Sequence, residues 1–114
     1  MDLLGQTIGH YQLVELIHQG ENMIYKGFDS RMNRNVAVKI LSPAQASNQA
    51  FVQQFQQDMQ LISGLENAHI LPVYDYGQQA DLLYIVSRYI ETGTVQDRLS
   101  QYYIPTRAQQ LIAP

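Results

Sequence analysis

Three strand-length apolar runs follow one another near the start of the chain: Tyr11–Ile17, Met23–Phe28 and Val36–Leu41. The links between them, His18–Asn22 and Asp29–Asn35, are too short for the crossover that parallel strands need, so the three runs must pair antiparallel as consecutive hairpins. The β-branched start of the third run supports a strand, and the Asn, Arg and Ser residues before it supply a turn. Ser42-Pro43 stops that strand. From Asn48 to Leu65 the period changes: Phe51, Phe55, Ile62 and Leu65 fall at helical spacing, which predicts one amphipathic helix with a last turn weakened by Gly64. Two more apolar runs, Ile70–Tyr76 and Leu82–Ser87, flank Gly77–Asp81 and predict a second hairpin. Tyr89–Gly93 then reads as an extended exit segment. Thr94–Tyr102, with Val95 and Leu99 four apart, predicts a short helix, and Pro105–Pro114 opens a helical pattern that the last residue cuts off. The expected class is α+β: a five-stranded antiparallel sheet with one main helix, plus short C-terminal helices.

A length of 114 residues supplies one core and excludes a multi-domain architecture. Charged residues are only 15%, so the wetted surface must come largely from Gln, Asn, Ser and Thr, and the charge-free, Gln-rich stretch from Ile40 to Gln57 reads as a solvated helix face of amides. The net charge of -3 and the lack of any basic cluster argue against nucleic acid as a partner. Without cysteine there is no disulfide, no thiolate nucleophile and no Cys-ligated zinc. Asp2 and the absence of a long apolar stretch argue against an export signal, and no window approaches the roughly 20 apolar residues of a membrane span. The expectation is a soluble, cytoplasmic chain with no membrane partner.

Lys39 ends an otherwise apolar strand, where an ammonium either snorkels to solvent or meets an anion. Asp58 lies on the same helical stripe as Phe51, Phe55, Ile62 and Leu65, and a carboxylate there wants a cation. Of the two lysines, Lys26 and Lys39, the strand-ending one is the natural partner if the helix packs across the sheet. The alternative is that Asp58 edges the stripe with its head in water. His10, His18 and His69 are too far apart in sequence for a local metal motif, and the tyrosines lack the basic neighbours of a nucleic-acid stacking platform.

The order of these elements and several motifs resemble the N-terminal lobe of Hanks-type protein kinases, the bacterial serine/threonine kinases in particular. VAVKIL at 36–41 is similar to the family's third strand with its phosphate-binding lysine. Asp58 in FQQDMQLISGLENAHILPVYDYG occupies the place of the helix C glutamate, and LLYIVSRYIETGTVQDRL is similar to strand five, the hinge and helix D. The resemblance implies a cofactor site in which Lys39 meets the α and β phosphates of ATP and Ala37 lies against the adenine. It further implies Arg88, Tyr89 and Ile90 as the hinge, Ser87 as gatekeeper, Thr94 and Asp97 beside the ribose, and an ion pair between Lys39 and Asp58. The implied divisions are an N-terminal extension at 1–10, the lobe at 11–93 and a hinge-following segment at 94–114.

The departures from the family pattern carry as much as the matches. The family loop GxGxxGxV needs glycines so that backbone N–H groups can reach the phosphates. Here His18 stands at the first glycine, Gly20 keeps the second, the third is lost, and the loop is one residue short. Glu21 adds a carboxylate where phosphate oxygens would lie. Asp58 is one methylene shorter than glutamate, and Arg88 replaces the usual hinge Glu. Neither HRD nor DFG occurs in these residues, so the chain by itself supplies no catalytic base and no Mg²⁺ ligands. These features imply a pseudokinase-type lobe that holds ATP weakly or not at all. The rival readings are the ATP-binding part of an active kinase and a stand-alone interaction module on the same fold. Apolar residues at the far end, Ile90, Val95, Leu99, Ile104, Leu111 and Ile112, imply a protein partner or self-association through the surface that a second lobe would cover.

Overall fold

The structure, a computed structural model, describes residues 3–63 and 73–91. Strands β1 (Thr7–Ile8), β2 (Tyr11–Gln19), β3 (Met23–Asp29) and β4 (Arg34–Ile40) come first, then helices α1 (Pro43–Ala46) and α2 (Gln49–Ser63), then β5 (Val73–Gln79) and β6 (Leu82–Arg88). They form one antiparallel sheet of six strands in the order β1-β2-β3-β4-β6-β5. The expected sheet had five strands. The sixth, β1, is a two-residue strand reached through a turn at Gly9, whose φ of 61° suits glycine, and it is too short to show alternation. The predicted links shrink for a similar reason. Pairing runs on to Gln19↔Met23 and Gln79↔Leu82, so the hairpin turns are tighter than the apolar runs suggest.

Ser42-Pro43 ends β4 as expected but also starts α1: the Ser42 hydroxyl accepts from the Gln45 N–H at 3.3 Å, and proline suits the first helical turn. Asn48 caps α2 by accepting from the Phe51 N–H at 3.1 Å. Along α2, Phe55, Asp58 and Met59 are buried, while Gln53, Gln54, Gln56, Gln57 and Gln60 face solvent, as the amide reading requires. The Ile62 side chain, Leu65 and the C-terminal helices expected after Gly93 lie outside the described residues. No helix among the described residues is long and apolar enough to cross a membrane.

The two faces of the sheet carry different cores. On one, Leu13, Tyr25, Val36, Val38, Ile40 and Val86 form the main cluster with Tyr11 and Tyr84. On the other, α2 brings Phe55 and Met59 into a cluster with Leu83 and Ile85. The first face is curled until its edges meet: Tyr11 Oη donates to Asp75 Oδ2 at 2.8 Å, and the Gly9 N–H donates to Gln79 Oε1 at 2.8 Å.

That closure has a pH signature. Burial first, and then the hydrogen bond to Asp75 and its charge, push the Tyr11 phenol well above its ordinary value of 10.0. Burial and Asp75 push Tyr84 in the same direction. In the unfolded chain both ionise first, so their contribution to stability is whole below pH 10 and is lost as pH rises beyond it. Tyr11→Phe should cost about 1.5–3 kcal/mol near neutrality, the worth of a hydrogen bond to a charged group, and should flatten the alkaline loss. Urea denaturation at a series of pH values measures both.

Candidate functional site

Of the residues singled out from sequence, Lys39, Ala37, Ser87, Ile90 and Asp58 fall on the side of the sheet that α2 covers, whereas Arg88 opposes Val36 of the other core. Directly opposed residues of antiparallel strands project to the same side. Lys39 opposes Ile85, and Ile85 clusters with Phe55 and Met59, so the lysine emerges on the helix side of the sheet. Ala37 opposes Ser87, and both are buried. Next to them Ile24, Ala37 and Ile90 form a compact buried cluster, with Ile17 packed at its border. The result is an apolar roof, bounded by Lys39 on one side and by the segment after β6 on the other.

Of that segment, Arg88 is exposed at the end of β6, Tyr89 is half-buried with Lys26 Nζ 5.1 Å from its ring centroid, and Ile90 closes the roof. Asp97, Thr94 and the apolar residues from Val95 onward lie outside the described residues. Gly20 sits exposed in the β2–β3 turn, which consists of Gly20, Glu21 and Asn22 alone. Asn22 Oδ1 accepts from the Ser42 N–H at 3.0 Å, which ties the turn to the end of β4.

Asp58 is buried, with 3% of its surface exposed. Its Oδ1 accepts from Gln54 Nε2 at 2.9 Å, one helical turn back, while the buried Oδ2 has no hydrogen-bond partner among the described residues. Burial lowers the Lys39 ammonium from its ordinary value of 10.5. The structure thus sets a desolvated cation and a desolvated carboxylate on the same side of the sheet. A cleft of about 430 Å³ on α2, lined by Gln53, Gln56, Gln57, Gln60 and Tyr76, holds only amides and a phenol and is separate from the roof. Sequence reading missed Ile17, Ile24 and Lys26, whose place beside Ala37 and Tyr89 follows only from strand register.

A family model described as protein tyrosine and serine/threonine kinase matches residues 6–113. The chain belongs to the protein kinase family. Its relatives include the serine/threonine-protein kinase PrkC of Bacillus subtilis, 33% identical over 100 residues, a match covering 86% of this chain and 15% of the relative. Another is the serine/threonine-protein kinase PknD of Mycobacterium tuberculosis, 30% identical over 112 residues, covering 96% of this chain and 17% of the relative. Among solved structures, the PknI kinase domain of M. tuberculosis superposes with a TM-score of 0.72 at 28% identity, covering 77% of this chain and 36% of that one. The chain therefore has the fold of a protein kinase N-lobe and spans about one sixth of the length of these two relatives.

Proposed function

We propose that this chain is the N-lobe of a serine/threonine kinase-like protein of pseudokinase type, with weak or no ATP binding and no phosphotransfer of its own. The observation that carries this reading is the β2–β3 turn. It has three residues, one glycine among them, and a carboxylate at its tip, where the family places a longer glycine-rich loop. The apolar roof fits a purine ring. The phosphate side does not fit a triphosphate, because few backbone N–H groups can face it and Glu21 repels it.

A second reading, the ATP-binding part of an active kinase, is favoured by the desolvated Lys39 and Asp58, which stand where the family keeps its lysine and helix C acid. Full-length parent protein incubated with Mg²⁺ and γ-labelled ATP separates the two. The first reading expects no label on the protein or on a generic serine/threonine substrate, and clear incorporation would replace it with the second.

A further inference from the structure

His18, Ile24, Lys39 and Ile85 form one row across four neighbouring strands, since His18 opposes Ile24, Ile24 opposes Lys39, and Lys39 opposes Ile85. The His18 side chain therefore emerges on the face that carries the lysine and the apolar roof. Gly20, two residues further on, turns the same side toward it. A Cβ on Gly20 would come within 2.8 Å of His18 Nε2, 3.5 Å of Cε1 and 3.6 Å of Cδ2. The imidazole edge lies against the bare Cα of Gly20. The backbone at Gly20 is outside the left-handed region, so it is the neighbouring imidazole, not the chain path, that a side chain there would have to displace.

We infer that His18 is a built-in plug: its ring fills the space at Gly20 that a glycine-rich loop leaves open for phosphate oxygens, so the face takes an uncharged purine nucleoside in preference to a nucleoside triphosphate. The inference rests on the reading above that this face is a degenerate nucleotide site, and it adds the His18 ring to the short turn and Glu21 as a cause of the degeneracy. Two further features hold the turn against the ring. Strand pairing continues to Gln19↔Met23, which leaves a turn of only three residues, and Asn22 is fastened to the Ser42 N–H. A turn this short and tied at its end has little freedom to lift away from the ring. The one retained glycine thus houses the imidazole.

The two halves of ATP, adenosine and inorganic tripolyphosphate, test this separately when titrated into the full chain and followed by NMR chemical shifts. In the wild type, adenosine should move the resonances of Ile24, Ala37 and Ile90, and tripolyphosphate should move little. In His18→Gly, tripolyphosphate should bind about tenfold tighter, equivalent to roughly 1.4 kcal/mol, and adenosine should bind as before. His18→Ala removes the ring while keeping a Cβ on the strand, and should show the same gain even if the glycine loosens the hairpin. Adenosine binding with tripolyphosphate equally weak in all three proteins would overturn the plug and leave the purine face standing. No response to adenosine in any of them would overturn the purine face and the plug together.

Discussion

Tyr25→Ala should destabilise the chain by about 3–5 kcal/mol, a large share of the total for a domain of this size. Tyr25 is fully buried in the middle of β3, in one cluster with Leu13, Val36 and Val38, and its hydroxyl accepts from the Leu3 N–H at 3.2 Å. Removing the ring opens a cavity between the curled strands, which cannot collapse into it because their edges are already joined at Tyr11 and Asp75. Tyr25→Phe keeps the ring and should cost only about 0.5–1.5 kcal/mol, the worth of one hydrogen bond. Denaturant unfolding of the pair measures the difference. A loss below about 1 kcal/mol for the alanine variant would place the main core on the helix side of the sheet instead.

Lys39→Met and Asp58→Leu form the second test. If the ammonium and the carboxylate meet under α2, removing Lys39 strands the Asp58 carboxylate in a desolvated site and removing Asp58 takes a counter-charge from the ammonium, each at a cost on the order of 1–3 kcal/mol. The double variant should cost less than the sum, since nothing charged is then left behind. Asp58 already has one oxygen occupied by Gln54 and the other buried. Its coupling to Lys39 is what a double-mutant cycle isolates, and simple additivity would mean that the two do not interact.

The central strands were legible as continuous apolar runs because both of their faces are covered, five consecutive residues being buried in β6. In β4, Val36, Val38 and Ile40 face the main core while Ala37 and Lys39 face the helix side, a pattern that apolar runs reveal directly. The burial of Asp58 was legible on a helical period, although the sequence left open whether its head reached water. Strand β1 was not legible, since two residues have no period and their pairing is set by the Gly9 turn and by contacts with Gln79, 70 residues away. Ile24 and His18 were hidden by a different cause. Their side of the sheet depends on register, and β2 carries irregularities between Leu13 and Glu15 and between Leu16 and His18 that break the alternation before the turn is reached. The motifs located Lys39 and Ala37, whereas the ring against Gly20 is a fact of three-dimensional placement.

On the proposed reading this N-lobe keeps a purine-facing roof without a phosphate cradle, and calorimetric titration of the chain with ATP and Mg²⁺ decides between that and an intact site. No binding tighter than about 1 mM, roughly 4 kcal/mol, is expected, because the roof alone supplies the contacts. A clear isotherm with a micromolar dissociation constant would contradict it.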